Sequence, residues 1–376
     1  MCFFRREERR EEGIKLSQPD SVPSEELNMQ DYRREEESIK LSQPDSTPSE
    51  GLNMQDYRIL ALDGGGIRGN IQLEFLRLLE NRLGMALYDS FDLIIGTSIG
   101  GIISLGAAGR HMQTSELYAY FNSPQFNKCM MNKVPLYWRI LHPTQLSGPK
   151  YFGHSKKAAL HRIFKGYTIG NSSIKSNHHR AKFAVTTYNL LNRKLDLFTN
   201  VKHPLEHDKI SLEVLADATS AAPIFYPPVL VNLSRVKQYY LDGGVAMNNP
   251  AMLGVSIAVE QGIPLERIKC LSIGTGVPTR GRKRGLSVGK RAQSWGPLGW
   301  IKNGLVNHLF SGNSSSVDVI TDHVLPSDSY IRVNTLLYGA SDDMDDISLD
   351  NIQNLRRLGY ELFQQHGEDV LSTLNF

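Results

Sequence analysis

What is scarce in this chain of 376 residues narrows its class before any motif is read. There are three cysteines (Cys2, Cys129 and Cys270), an odd number set far apart with no C-x-x-C pair. That spacing offers neither a disulfide framework nor a zinc or dithiol site, and it favours a reducing, cytoplasmic setting. No apolar run reaches the roughly 20 residues of a membrane-spanning helix. The uncharged stretch Leu93–Gly109 has 17 residues and is broken by glycine and serine, which suits a buried strand running into a buried helix. The start MCFFRREERREE turns to charge after four residues, too soon for the apolar core of about 7–15 that a signal peptide needs. Neither charge sign dominates: 42 Lys plus Arg against 39 Asp plus Glu leave +3. With 40% hydrophobic and 22% charged residues the composition is that of a globular protein, excluding collagen-like and wholly disordered chains.

Charge is nonetheless unevenly placed. Residues 9–33 recur as 34–58 with four differences (Arg10/Glu35, Gly13/Ser38, Val22/Thr47, Glu26/Gly51). Two copies are too few for a solenoid, and their Glu, Ser, Pro and Gln content cannot supply a core. Residues 1–57 are therefore expected to be an acidic, disordered tandem-repeat tail. An α/β domain is expected over 58–376, with its motifs in 58–276 and a C-terminal part at 277–376.

Within that domain strands and helices alternate. Strands are expected at 58–62, 91–96, 183–189, 268–276 and 330–334, and helices at 70–83, 99–109, 211–221, 250–262 and 349–366. Such alternation argues for a largely parallel sheet covered on both faces.

Two glycine-rich turns carry the chemistry. Gly64-Gly65-Gly66-Ile67-Arg68-Gly69 matches G-x-G-x-x-G between strand and helix. A dinucleotide site would also need an acidic residue ending the next strand, and Asp89 and Asp92 instead precede it. What ends that strand is Gly96-Thr97-Ser98-Ile99-Gly100, a G-x-S-x-G turn that projects Ser98 as a nucleophile. The Gly64, Gly65 and Gly66 amides can face the oxyanion of a tetrahedral intermediate. Arg68 can hold this loop, attract a phosphate, or form a structural ion pair. Ser98 also needs a base. Candidates are the late histidines His308, His323 and His366, or Asp242 in YYLDGGVAMNNP, where a strand delivers a carboxylate onto Gly243 and Gly244.

In order along the chain, DGGGIRG, GTSIG, ATSAAPIFYPP, LDGGVAMNNP and LSIGTG resemble the patatin-like phospholipases over roughly residues 58–276. The resemblance implies a three-layer α/β/α fold with a central, mostly parallel sheet. It implies a Ser–Asp dyad of Ser98 and Asp242, an oxyanion hole from Gly64–Gly66, and hydrolysis of phospholipid acyl esters with neither calcium nor another cofactor. Some bacterial relatives answer to cyclic nucleotides, but no sequence feature marks a small-molecule or nucleotide activator site or an oligomer interface here. The rivals are a Ser–His–acid esterase and a non-catalytic lipid-binding or storage protein on the same fold.

No acidic residue lies between Glu266 and Asp318, a span holding nine basic ones. Arg280, Arg282, Lys283, Arg284, Lys290 and Arg291 cluster just ahead of Trp295 and Trp300. Basic charge beside tryptophan suits an anionic membrane surface, making peripheral membrane contact the expectation. No nucleic-acid motif accompanies it. The acidic run Asp342–Asp346 lacks the central glycine and twelfth-position Glu of a calcium loop, so no metal is expected and helix-start charge is the reading.

Overall fold

The structure is a computed structural model. It describes residues 55–376 except 136, 138–147, 174–180, 234–235, 280–289, 291, 297–298 and 301–302. The repeat tail up to residue 54 lies outside the described residues, and its expected last residue, Tyr57, already opens the first strand. Aliphatic runs form β1 (Tyr57–Leu62), β2 (Leu93–Thr97), β3 (Lys182–Asn189) and β7 (Ile268–Ile273), joined by β4 (Lys194–Thr199), β5 (Val229–Leu233), β6 (Val236–Asp242) and β8 (Tyr330–Val333). They make one sheet in the order β5-β6-β3-β2-β1-β7-β8, with β4 also on β3. The β3-β2-β1-β7-β8 ladders are parallel, whereas β4, β5 and β6 pair antiparallel.

Among the described residues the longer helices are α1 (Asn70–Leu83), α2 (Ile99–Ser104), α3 (Thr114–Phe121), α4 (Pro124–Met130), α5 (Gly153–Phe164), α6 (Leu212–Thr219), α7 (Ala251–Glu260), α8 (Leu305–Val324) and α9 (Leu349–Thr373). Successive strand residues point to opposite faces. Leu60, Leu62 and Ile94 accordingly enter a large core with α1, α2, α6 and α9, while Ile59, Ala61, Leu93 and Ile95 enter a smaller one with α7. That is a three-layer α/β/α arrangement around a mixed sheet whose central strands are parallel. The uncharged stretch from Leu93 is buried throughout, as β2 and then α2, with a wider π-helical turn at Leu105–Gly109.

One register detail brings the two glycine turns together. β4 pairs with residues Ala184 to Asn189 of β3 along one edge. β2 pairs with Lys182 to Thr186 and β6 with Thr187 to Asn189, so both must use the opposite edge. They run toward each other along it. β2 ends at Thr97 opposite Thr186, and β6 ends at Asp242 opposite Thr187, so the two C-terminal ends meet.

Candidate active site

Ser98 caps the N-terminus of α2 with φ 56° and ψ −120°, a strained backbone for a residue other than glycine. Such a sharp turn requires close approach behind it. A Cβ on Gly100 would lie 2.3 Å from Leu62 O, and one on Gly96 2.1 Å from Gly100 O, so only hydrogen fits at either position. Thr219 Oγ1 accepts the Ser98 amide at 3.0 Å and donates to Thr186 O at 2.8 Å. The serine is thus tied to both β3 and α6.

Ser98 Oγ donates to Asp242 Oδ2 at 2.6 Å. The other carboxylate oxygen accepts the Gly244 amide at 2.8 Å, and the Asp242 amide donates to Ala221 O at 3.0 Å. Asp242 is wholly buried, and burial pushes its carboxyl up to about 6 against the lowering pull of the Ser98 and Gly244 hydrogen bonds and of Lys156. A carboxylate so placed is a stronger base than one in water, near the range useful for general-base work at neutral pH. The two residues also share a pocket whose walls include Ile99, Ile102, Phe121, Met130, Phe225 and Phe310, apolar enough for a hydrocarbon chain.

The glycine loop abuts this pair: a Cβ on Gly64 would come 3.1 Å from Ser98 Cβ. Its three amides are not equivalent. The Gly64 amide is engaged by Asn248 O at 3.2 Å. The Gly65 and Gly66 amides have no acceptor among the described residues, which leaves them as the donors available to an oxyanion. Gly66 holds φ +59° with Met344 O 2.2 Å from where a Cβ would stand, and Met344 O also accepts the Ile67 amide at 2.9 Å. Arg68 is buried. Its Nε donates to Gly65 O at 3.3 Å, and burial lowers its pKa to about 10 against the pull of Asp342, Asp343 and Asp63. It therefore braces the loop from behind. At Gly69 a Cβ would meet Ile99 Cγ1 at 2.3 Å, and at Gly243 Thr186 Oγ1 at 2.1 Å, so these glycines also permit contact between the turns.

Several supports escaped the sequence reading. Asp63 makes a two-pronged ion pair with Arg332, at 2.8 and 2.6 Å, beneath the loop. Thr275 Oγ1 donates to Gly64 O at 2.8 Å, and Asn248 Nδ2 to the same oxygen at 3.3 Å. Lys156 lines the pocket from α5. The acidic run is not helix-start charge: α9 begins at Leu349 behind the Ser348 cap, while Met344 and Asp345 pack at the pocket, where Asp345 accepts from Lys150 and Tyr151. Backbone carbonyl contacts and pairs more than 50 residues apart leave no local pattern.

The late histidines lie elsewhere. His308 faces the Trp300 ring at 6.3 Å between centroids, His323 Nδ1 bonds Val319 O at 2.7 Å, and His366 Nδ1 is 3.7 Å from Asp369. No histidine lines the pocket among the described residues. Of the basic and aromatic cluster, Arg280, Arg282, Lys283, Arg284 and Arg291 fall outside the described residues. Lys290 is exposed, and Trp295 packs edge-on against the exposed Trp300 at 5.1 Å. Among the described residues no helix is long and apolar enough to cross a membrane.

A strand that ends in a serine turn, with a glycine loop beside it and an apolar pocket above, is the layout of an α/β acyl hydrolase by class. The model of the patatin-like phospholipases matches residues 60–255, just over half the chain. The chain belongs to the patatin-like phospholipase family, and membership supports lipid acyl hydrolase activity. It is 26% identical over 345 residues to Patatin-like protein 1 of Arabidopsis thaliana, covering 81% of this chain and 80% of that protein. With Patatin-17 of Solanum cardiophyllum the identity is 27% over 353 residues, 82% and 83% of the two chains. Among solved structures, human GIVD cytosolic phospholipase A2 superposes with a TM-score of 0.45 at 10% identity, over 85% of this chain and 60% of that one.

Proposed function

We propose that this protein hydrolyses fatty-acyl esters of glycerophospholipids through Ser98 and Asp242, by way of an acyl-enzyme and without calcium. The observation that carries the reading is the 2.6 Å hydrogen bond from Ser98 Oγ to Asp242 Oδ2 at an apolar pocket. Ser98 Oγ attacks the ester carbonyl carbon as its proton passes to the Asp242 carboxylate. The Gly65 and Gly66 amides hold the resulting oxyanion. Collapse breaks the ester C–O bond, and the departing lysolipid oxygen takes the proton from Asp242. Water then attacks the acyl-serine, Asp242 accepts its proton, and the fatty acid leaves as the proton returns to Ser98 Oγ.

A fluorophosphonate probe is expected to label the native protein at Ser98 and to leave Ser98→Ala unlabelled. Acyl release from phosphatidylcholine vesicles in EDTA should fall by about 10³-fold or more in Ser98→Ala and Asp242→Asn, on the scale of losing a member of a catalytic unit. Near-normal turnover in Asp242→Asn would move the base to another residue.

The substrate reaches the site from a lipid surface that the basic and aromatic cluster contacts, which makes the protein peripheral at membranes on their cytoplasmic side. Each basic side chain near an anionic surface contributes about 1 kcal/mol. Neutralising Arg280, Arg282, Lys283, Arg284, Lys290 and Arg291 together should weaken binding to phosphatidylserine vesicles and spare turnover of a soluble ester. Unchanged vesicle affinity would reject this contact.

A further inference from the structure

One buried charge at the pocket has no part in the steps above. Lys156 is 1% exposed, yet taking an ammonium out of water to this depth is costly, and an apolar side chain of the same length would fill the space with no such penalty. Its ammonium donates to Asp217 O at 2.9 Å, Ser220 O at 3.0 Å and Ser220 Oγ at 3.3 Å. It also pairs with Asp217 Oδ1 at 2.9 Å and sits 4.3 Å above the Tyr226 ring. Three oxygens take its three N–H groups, with the Asp217 carboxylate as a charge partner beside them, so no donor is left for a lipid phosphate.

What the ammonium grips is the segment that holds both reactive residues. Between Asp217 and Ser220 lies Thr219, whose hydroxyl takes the Ser98 amide; directly after comes Ala221, whose carbonyl takes the Asp242 amide. We propose that Lys156 is a positioning residue for Ser98 and Asp242: it pins the C-terminal end of α6 against both, and it sets a positive charge beside the Asp242 carboxylate. This rests on the Ser98–Asp242 reading above. The charged and titratable groups around Asp242 are Lys156 on α5, Asp217 on α6, Tyr226 after it, Tyr151 before α5 and Asp345 before α9. Among the described residues, Lys156 is the one cation lining the pocket. Its charge favours the ionised carboxylate and opposes the upward push of burial.

The test is the pH dependence of kcat/KM on a soluble p-nitrophenyl acyl ester for the native protein, Lys156→Arg, Lys156→Met and the double variant Lys156→Met/Asp217→Asn, with Ser98→Ala as blank. Removing the charge should move the acid limb up by roughly 1 pH unit, the low end of what an opposite charge in the same pocket does to a carboxyl. Lys156→Arg should keep the native limb at reduced kcat. The double variant leaves no unpaired carboxylate; because it also removes the Asp217 charge, its limb should move up by less than in Lys156→Met, and it serves where Lys156→Met does not fold. An unmoved limb in a folded charge-free variant, even with kcat lowered, overturns the proposal and makes Lys156 merely structural. So does a shifted limb in Lys156→Arg. Persistent activity in Ser98→Ala is a different failure, that of the dyad itself.

Discussion

The two residues of the proposed dyad, Ser98 and Asp242, come from unlike halves of one sheet. Ser98 follows β2, where every residue is buried, and the neighbouring β1 and β7 are buried from Ile59 to Leu62 and from Ile268 to Ile273. Asp242 ends β6, where only Tyr240 and Asp242 are buried, and the adjoining edge strand β5 buries only Val231. Parallel strands covered on both faces form a rigid platform, whereas antiparallel ones tolerate one wet face. The hydroxyl is thus fixed by the core, and the carboxylate is carried in on an arm in which Tyr240 and Asp242 alone are buried. The lesson is that local rigidity at the meeting point does not need a buried strand. Ala221, Gly244 and Ser98 hold Asp242 on three sides, whatever the outer hairpin does.

The sharpest way to break that contrast is to truncate one aliphatic side chain in each half to alanine. Ile95, at 0% exposure in β2, packs on α7: a Cβ on Gly254 would lie 3.1 Å from its Cγ2. Ile95→Ala should lose about 2–5 kcal/mol in urea denaturation, the range for large-to-small core changes. Val236, 55% exposed at the far end of β6, should lose no more than about 0.5 kcal/mol on change to Ala and keep native turnover. A strong activity loss in Val236→Ala, with stability intact, would mean that the arm's outer part does position the base.

The same contrast governs what could be seen in the sequence. Parallel strands announce themselves: FDLIIG and IKCLSIGTG end up as the buried β2 and β7, YIRVN as the half-buried β8, and the short helix patterns at 211–221 and 250–262 as α6 and α7. The arm is quieter. β4 (KLDLFT) and β5 (VLVNL) are short, partly exposed and without turn signals strong enough to declare them, and neither was expected. Helix α8 runs through SGNSSS, whose residues prefer caps and turns, and it forms because Phe310, Ser314, Val317 and Thr321 find a buried face. Helix α9 continues to Thr373, seven residues past its apolar pattern, on the burial of Gly367 and Val370. At the site, Ser98, Asp242 and the glycines were legible because a sharp turn leaves only a few residue types. Lys156, Arg332 and Thr275 were not, since each acts through space on a distant carbonyl or carboxylate.

The smaller and more telling effect concerns Asp242 alone. Its carboxyl is raised from 3.8 to about 6 in the fold by burial. Between those values the native state binds a proton that the unfolded chain does not, so stability falls as pH rises through that window. Above pH 6 the fold holds a buried carboxylate at a cost on the order of 1–3 kcal/mol. Asn has no such cost and can still accept the Gly244 amide. Asp242→Asn should therefore be more stable than the native protein at pH 8, by about 1–3 kcal/mol, with the gap closing as pH falls through 6 toward 4. Urea midpoints at three pH values between 4.5 and 8 measure it. A variant less stable at pH 8, or a gap that widens in acid, would show that the carboxylate is held at no expense and that the arm, not the core, sets its surroundings.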